Sequence, residues 1–230
     1  MLAQRPLSLP TGTEITAVIF DMDGLLLDTE SLSLKSFITT ARRYDLSVGI
    51  DEYRQLIGLN AVAGLDILRG ILPSRLDPLH FKNEWLAIYR DLLDAGIATK
   101  PGASAMLVAL QAAQIRRAVA TSSAGHKARR ILDDVGLLPM IEAVTGGDEV
   151  TAGKPEPYVY LDAAAKLGVE PTSCLALEDS ENGVSAALAA GMTVIQIPDL
   201  APATRPADML RFYTATSLAD AARLIGLRLD

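Results

Sequence analysis

Two aspartates separated by one residue, Asp21 and Asp23, directly follow a run of mostly apolar residues. The run spans residues 15–20 (ITAVIF) and predicts a strand that is buried on both faces. Because two carboxylates at this spacing repel each other, the pair needs a cation, a shared proton or a catalytic purpose. A calcium loop needs acids at three alternate positions before its glycine, whereas Gly24 follows the second acid directly. An accidental pair of surface acids stays open on these residues alone.

Hydroxyl groups and a lysine follow two further predicted strands. Thr121, Ser122 and Ser123 stand at a strand end, where their hydroxyls and backbone N–H groups suit phosphate oxygens. Alone, such a segment is more often the N-cap of a helix. Lys154 precedes Pro155 in the segment GKPEP, where a fixed ammonium can act as a point charge on phosphate. A lone lysine is usually a solvated charge, so both alternatives stay open here.

A second pair of acids, Glu178 and Asp179, stands at the end of another predicted strand. Ser180 comes next and can cap the following helix. Taken alone, acids near a helix start are best explained as partners of its dipole. In an open parallel sheet, however, ligands bind beyond the carboxyl ends of the strands. Four strand ends with suitable groups are hard to explain by accident, and together they predict one functional site.

The elements that must position these residues are short apolar runs that alternate with helical patterns. Buried strands are predicted at residues 15–20, 117–121, 143–145, 173–177 and 193–197. The helices predicted between them end at glycines, namely Gly136, Gly168 and Gly191. Buried strands that alternate with helices predict an α/β fold, in which helices cover both faces of a parallel sheet.

Residues 31–97 interrupt this alternation, because they show helical periodicity and no strand-like run. One of their helices is predicted to begin at Asp77-Pro78, an N-cap followed by proline at the first helical position. We therefore expect a core formed by residues 1–30 and 98–230, with an inserted α-helical cap at residues 31–97.

The segments at the four strand ends resemble those of the haloacid dehalogenase superfamily, namely DxDG, TSS, GKPxP and EDSxxG, in this order. The resemblance runs from Thr16 to Ile197 and is closest to the branch of small phosphatases and β-phosphoglucomutase-like enzymes. It implies a Rossmann-like catalytic core that carries a helical cap.

The resemblance implies a role for each aspartate at the first strand end. Asp21 would be the nucleophile that forms an aspartyl-phosphate. Asp23 would be the general acid for the leaving alcohol and then the base that activates water. Because dehalogenases of the superfamily need no acid for a halide leaving group, Asp23 favours phosphate esters as substrates.

The resemblance also implies a Mg²⁺ site, whose oxygen ligands suit this hard cation. The side chains of Asp21 and Asp179 and the backbone carbonyl of Asp23 would hold the ion. Glu178 would bind it directly or through water.

The implied phosphate contacts come from the other two segments. Thr121 and Lys154 would contact the transferring phosphoryl group, with Ser122 and Ser123 binding substrate beside them. Asn60, in the predicted cap, is a further candidate substrate contact. The expected substrate is a small phosphomonoester such as a sugar phosphate.

Two functions other than hydrolysis compete for these motifs. A mutase would return the phosphate to a second hydroxyl of a sugar phosphate. β-Phosphoglucomutases carry a histidine shortly after the first motif and an arginine in the cap, but residues 29–34 and 56–61 contain neither. Hydrolysis therefore ranks first. A non-catalytic protein that binds a phosphorylated ligand or a partner would be expected to lack Asp21, Asp23 or Lys154, and all three are present.

Composition indicates which partners and which cellular compartment are expected. The 230 residues carry a net charge of −7, which argues against a nucleic-acid or membrane-surface partner. A single cysteine, Cys174, excludes an internal disulfide and suits a reducing compartment. Residues 1–13 lack the apolar core of a signal peptide, and no run approaches the roughly 18 apolar residues of a membrane span. We expect a cytoplasmic monomer whose partner is a small phosphorylated metabolite.

Overall fold

The computed structural model describes residues 7, 14–57, 59, 61–206 and 210–229 of the protein. The chain divides into two compact units, of which the first combines Met1–Leu27 with Thr99–Asp230 and the second is Asp28–Ala98. Asn60 lies outside the described residues, so its predicted contact with substrate stays a prediction. Among the helices described, none has both the length and the apolar composition that crossing a membrane requires.

The first unit is built on a sheet that has six parallel strands in the described residues. The strands are β1 (Ala17–Phe20), β2 (Arg116–Ala120), β3 (Ala143–Thr145), β4 (Cys174–Glu178), β5 (Thr193–Gln196) and β6 (Phe212–Thr214). Their order across the sheet is β3-β2-β1-β4-β5-β6. The predicted α/β fold with a parallel sheet is confirmed, and the first five strands lie within one or two residues of their predicted bounds.

The helices fall into two groups, one in each unit. The second unit contains α1 (Thr29–Arg42), α2 (Ile50–Arg54), α3 (Ala61–Ile71) and α4 (Pro78–Asp94). The first unit contains α5 (Ala103–Ala112), α6 (Gly125–Asp134), α7 (Tyr158–Leu167), α8 (Glu181–Ala189) and α9 (Leu218–Leu224). In the first unit, α6, α7 and α8 each connect one strand to the next along the chain, as the crossovers of a parallel sheet require.

The central strand β1 shows why these sequences form a sheet covered on both faces. Ala17 and Ile19 pack in a core cluster with residues of α7 and α8. Because side chains alternate along a strand, Val18 and Phe20 point to the opposite face, and they too are fully buried. A strand buried on both faces is apolar at every position. Each of the larger side chains contributes about 1.5–3 kcal/mol through burial.

The strand order reverses next to β1, which pairs with β2 on one side and β4 on the other. Phe20 lies opposite Val119 of β2 and Leu177 of β4 in the register of these pairs. The residues that follow the three strands therefore meet at one edge of the sheet. In open α/β sheets, the crevice at such a reversal is where ligands bind.

The second unit is held together by aromatic side chains between its helices. Phe37 of α1 lies 5.7 Å from the ring of Phe81 and 5.3 Å from the ring of Trp85, both on α4. The N-cap predicted at Asp77 is confirmed, because its carboxylate accepts from the backbone N–H groups at the start of α4, at 3.3 and 3.1 Å. These contacts explain why a stretch whose described residues form helices and no strand still folds as a compact unit.

The two connections between the units run side by side. Leu27 and Thr99 form an isolated antiparallel bridge. The N–H of Lys100 donates to the carbonyl of Leu26 at 2.8 Å, and the N–H of Asp28 donates to Ala98 at 2.9 Å. The chain therefore leaves the first unit and returns to it at adjacent positions.

Candidate active site

Asp21, the predicted nucleophile, lies where β1 ends. Its backbone N–H donates to the carbonyl of Leu177 in β4 at 2.9 Å, which extends the sheet pairing by one residue. The residue is only 6% exposed. Its Oδ1 lies 2.5 Å from Nζ of Lys154. A carboxylate at the edge of the sheet is thus paired with a cation away from bulk water.

Lys154 lies in the loop between β3 and α7, and its ammonium contacts two carboxylates. Nζ lies 2.5 Å from Oδ1 of Asp21 and 2.5 Å from Oε1 of Glu178. The lysine side chain is 4% exposed. The sequence predicted a phosphate contact for Lys154, and the structure shows that its charge is held by the strand ends of β1 and β4.

Glu178 is the last residue of β4 and is completely buried. Its Oε1 accepts from Lys154 and, at 2.7 Å, from the hydroxyl of Tyr160. Its Oε2 accepts from the backbone N–H of Ser180 at 3.1 Å and from the Ser180 hydroxyl at 3.0 Å. A Cβ atom at Gly183 would overlap this carboxylate, so glycine in α8 provides the space for it. Both oxygens of Glu178 are therefore held in place, which fixes the position of Lys154.

Tyr160 of α7 is a residue of the candidate site that the sequence analysis did not identify. The side chain is fully buried. Its hydroxyl donates to Glu178, and the Lys154 ammonium lies 5.0 Å from the centre of its ring. A cation at this distance from an aromatic face is attracted to it. The usable signal was a tyrosine in the first turn of the helix that follows the lysine, since a buried phenol needs a hydrogen-bond partner.

A second cluster surrounds Asp23, the predicted acid and base. Its Oδ2 accepts from the Ser123 hydroxyl at 2.8 Å and from the Thr121 hydroxyl at 3.3 Å. Thr121 is fully buried, whereas Ser122 is exposed on the same loop. The ends of β1 and β2 are thus joined by hydroxyl–carboxylate hydrogen bonds across about 100 residues of sequence.

Burial is the largest single influence on the pKa of Asp21, of Lys154 and of Tyr160. Burial raises the pKa of Asp21 to about 8, Lys154 opposes this rise, and Glu178 and Asp23 add to it by repulsion. Burial disfavours the charged form of Lys154, but Asp21 and Glu178 outweigh it, so the pKa of Lys154 is raised. Burial also raises the pKa of Tyr160 far above its usual value, and Glu178 reinforces the shift. Tyr160 is therefore a neutral hydrogen-bond donor.

Asp179 completes the acids predicted at the sheet edge. It follows Glu178, and its backbone carbonyl accepts from Nε2 of Gln196 in β5 at 3.3 Å. Within the described part of the chain, no three His, Cys, Asp or Glu side chains form a group that could hold a metal ion as they stand. The donor chemistry still suits Mg²⁺, because the candidate donors are all oxygens. Glu178 and Asp23 add by repulsion to the rise in the pKa of Asp21 that burial causes, and a bound cation would offset this repulsion.

Comparison with known proteins shows which family this chain is similar to. The family of haloacid dehalogenase-like hydrolases matches residues 18–197. The chain is 32% identical over 176 residues to the phosphorylated carbohydrates phosphatase of Thermotoga maritima, covering 76% of this chain and 82% of that protein. It is 32% identical over 197 residues to hexitol phosphatase B of Escherichia coli, covering 82% and 86% of the two chains.

A solved structure gives the same result for the fold. CbbY from Rhodobacter sphaeroides, in complex with phosphate, superposes with a TM-score of 0.69 at 27% identity. The match covers 93% of this chain and 100% of that one. The match thus extends over both units of the chain.

Proposed function

Since this chain belongs to the family of haloacid dehalogenase-like hydrolases, we propose that it is a Mg²⁺-dependent phosphatase of small phosphomonoesters. The observation that carries the proposal is the buried contact between Lys154 and the carboxylate of Asp21 at the end of β1. Phosphoryl transfer to an enzyme carboxylate needs a nucleophile beside a fixed positive charge. The names of the two relatives support a sugar or hexitol phosphate as the substrate.

The proposed first step moves the phosphoryl group to the protein. A carboxylate oxygen of Asp21 attacks phosphorus, and the bond between phosphorus and the ester oxygen breaks. The ester oxygen takes the proton carried by Asp23 and leaves as a neutral alcohol. Asp21 then carries an aspartyl-phosphate, and Asp23 is a carboxylate.

The proposed second step releases the phosphate. The oxygen of a water molecule attacks phosphorus while Asp23 accepts the proton that this water loses. The bond between phosphorus and Asp21 breaks, and inorganic phosphate leaves. Asp21 is restored as a carboxylate and Asp23 as the acid, so the cycle needs no further reactant.

The remaining residues position these two aspartates and offset negative charge. We propose that Lys154 and Thr121 contact the transferring phosphoryl group, with Ser122 beside them. The Lys154 ammonium is held in place by Glu178, whose Oε1 also accepts from the Tyr160 hydroxyl.

The side chains of Asp21 and Asp179 and the carbonyl of Asp23 are the proposed Mg²⁺ ligands. Glu178 would join them directly or through water. When bound, the ion offsets the negative charge that the carboxylates and the phosphate bring together.

Release of inorganic phosphate tests the proposal. The substrates are hexitol phosphates, several sugar phosphates and β-glucose 1-phosphate, each with and without Mg²⁺. Mg²⁺-dependent release by the wild type supports the proposal when an Asp21→Asn preparation, purified in the same way, releases none. Conversion of β-glucose 1-phosphate to glucose 6-phosphate without phosphate release would identify a mutase and overturn the proposal.

A further inference from the structure

The hydroxyl of Ser123 is directed at a carboxylate. Ser123 Oγ lies 2.8 Å from Oδ2 of Asp23, which is an ordinary distance for a strong O–H···O hydrogen bond. The Thr121 hydroxyl reaches the same oxygen at the longer distance of 3.3 Å. Ser123 therefore makes the better of the two contacts that hold this oxygen.

The backbone of Ser123 is fixed on both sides, so its hydroxyl is placed by the fold. Its N–H donates to Oγ1 of Thr121 at 3.0 Å. Its carbonyl accepts from the N–H of Gly147, in the loop after β3, at 3.0 Å. A Cβ atom at Gly147 would lie 2.6 Å from the carbonyl oxygen of Ser122, so only glycine allows the two loops to approach this closely.

We propose that Ser123 is a positioning residue for Asp23, in addition to the phosphatase function proposed above and resting on it. Two hydroxyl donors on Oδ2 fix the plane of the carboxyl group and leave the proton of its acid form on Oδ1. The orientation of this proton decides how well it is delivered to the ester oxygen. Ser123 thus acts through Asp23 on the leaving alcohol.

This role makes the effect of Ser123 depend on the leaving group. An alkoxide is a strong base and leaves slowly unless it receives a proton as the phosphorus–oxygen bond breaks. Dinitrophenolate is a weak base and leaves without one. Loss of the Ser123 hydroxyl should therefore slow the first step for alkyl phosphates and spare it for 2,4-dinitrophenyl phosphate. The second step uses Asp23 as a base and is the same for both esters.

The test compares kcat/KM for the best sugar or hexitol phosphate with kcat/KM for 2,4-dinitrophenyl phosphate. We expect Ser123→Ala to lower the first value about 10-fold or more and the second less than about 3-fold, because acid catalysis contributes about 10²–10⁴. Rapid mixing of Ser123→Ala with the dinitrophenyl ester should give a burst of dinitrophenolate, since the second step becomes limiting. Ser123→Thr keeps the hydroxyl and should retain the wild-type ratio of the two kcat/KM values.

Two variants serve as references for this test. Ser104→Ala removes an exposed hydroxyl from α5 and should match the wild type with both esters. Ser122→Ala removes a proposed phosphate contact and should lower both kcat/KM values alike. An equal loss for both esters in Ser123→Ala, or no loss, overturns the positioning role. A wild type that hydrolyses neither ester would instead overturn the phosphatase function itself.

Discussion

Nζ of Lys154 lies 2.5 Å from Oδ1 of Asp21, and both side chains are more than nine-tenths buried. The sheet thus brings together two charges that are 133 residues apart in the chain. Removing one partner of a buried ion pair is costly, about 3–5 kcal/mol, when it leaves the other charge without compensation. Here Glu178 also contacts Lys154, so the lysine keeps one carboxylate partner when Asp21 is neutralised.

Asp21→Asn should abolish phosphatase turnover while the protein stays folded. An amide has nearly the same shape as the carboxylate but cannot attack phosphorus as an anionic nucleophile. Phosphate release and circular dichroism measure the two effects. Asp133→Asn, an exposed position on α6, should keep full activity. Wild-type turnover by Asp21→Asn would contradict the covalent mechanism.

Removal of Mg²⁺ by a chelator should stop activity, and addition of Mg²⁺ should restore it. The physical reason is that the ion would offset the negative charge that the clustered carboxylates and the substrate phosphate bring together. Mg²⁺ alone should also raise the melting temperature, because an ion that binds the folded state stabilises it. Asp179→Asn should shift half-maximal activity to higher Mg²⁺ concentration. Activity that survives exhaustive chelation would rule out the proposed site.

Gly183→Ala should destabilise the protein and lower its activity. The added Cβ atom would overlap the Glu178 carboxylate, which cannot move without losing its contacts to Lys154 and Tyr160. We expect a loss of about 1–3 kcal/mol in the free energy of unfolding, measured with urea. The control is Gly64→Ala on α3, where a Cβ atom meets nothing within 4 Å. That change should stabilise its helix by about 0.5–1 kcal/mol. The prediction fails if the two variants behave alike.

Tyr160→Phe should lower the free energy of unfolding by about 1.5–3 kcal/mol, the range for a hydrogen bond to a charged group. The change removes the hydroxyl that donates to Glu178 and keeps the ring beside Lys154. Tyr158→Phe makes the same change at a residue that is 44% exposed on the same helix. Its effect should stay within about 0.5 kcal/mol. Equal unfolding energies for the two variants would show that the Glu178 hydrogen bond is not stabilising.

Stability should depend on pH through Glu149, which lies outside the active site. Its hydrogen bonds with Arg129, at 2.7 Å, and Lys166, at 3.0 Å, lower the pKa of Glu149 from 4.5 to about 2. Because the folded pKa is below the unfolded one, the stabilisation is complete above pH 4.5 and is lost as pH falls towards 2. The side chain is 30% exposed, so we expect only about 1 kcal/mol or less at neutral pH.

The corresponding measurement compares the wild type with Glu149→Gln by urea unfolding at several pH values. The difference in unfolding free energy should be largest at neutral pH and should shrink below pH 4.5. A difference that stays constant down to pH 2 would show that the charge of Glu149 is not responsible.

The sequence predicted the first five strands well because β1, β2, β4 and β5 lie inside the sheet and are mostly apolar and buried, while β3 at one edge is still largely buried. It missed β6, which has three residues, one of them exposed and one half-buried, so that no apolar run marks it. The acids and hydroxyls proposed for the site could be singled out because strand ends in a parallel sheet share one edge. The family resemblance was confirmed by the match over residues 18–197.

The partners within the site could not be read from the sequence. The contacts from Tyr160 to Glu178 and from Ser123 to Asp23 depend on side-chain directions and on the register of neighbouring strands. Periodicity shows which face of a helix is apolar, but it does not show which group a buried hydroxyl contacts. The roles of Asp21, Asp23, Thr121 and Lys154 therefore stay predictions, now with a defined geometry to test.

The paired connections at Leu26–Lys100 and Asp28–Ala98 have an evolutionary consequence. The chain departs and returns at neighbouring positions. To the sheet, residues 28–98 are therefore equivalent to the loop of a short hairpin, whatever their length. The entropy of closing that loop grows only slowly with its length. The junction therefore makes the insert exchangeable, so that a lineage can acquire a new helical module between Leu27 and Thr99 while keeping the chemical machinery unchanged.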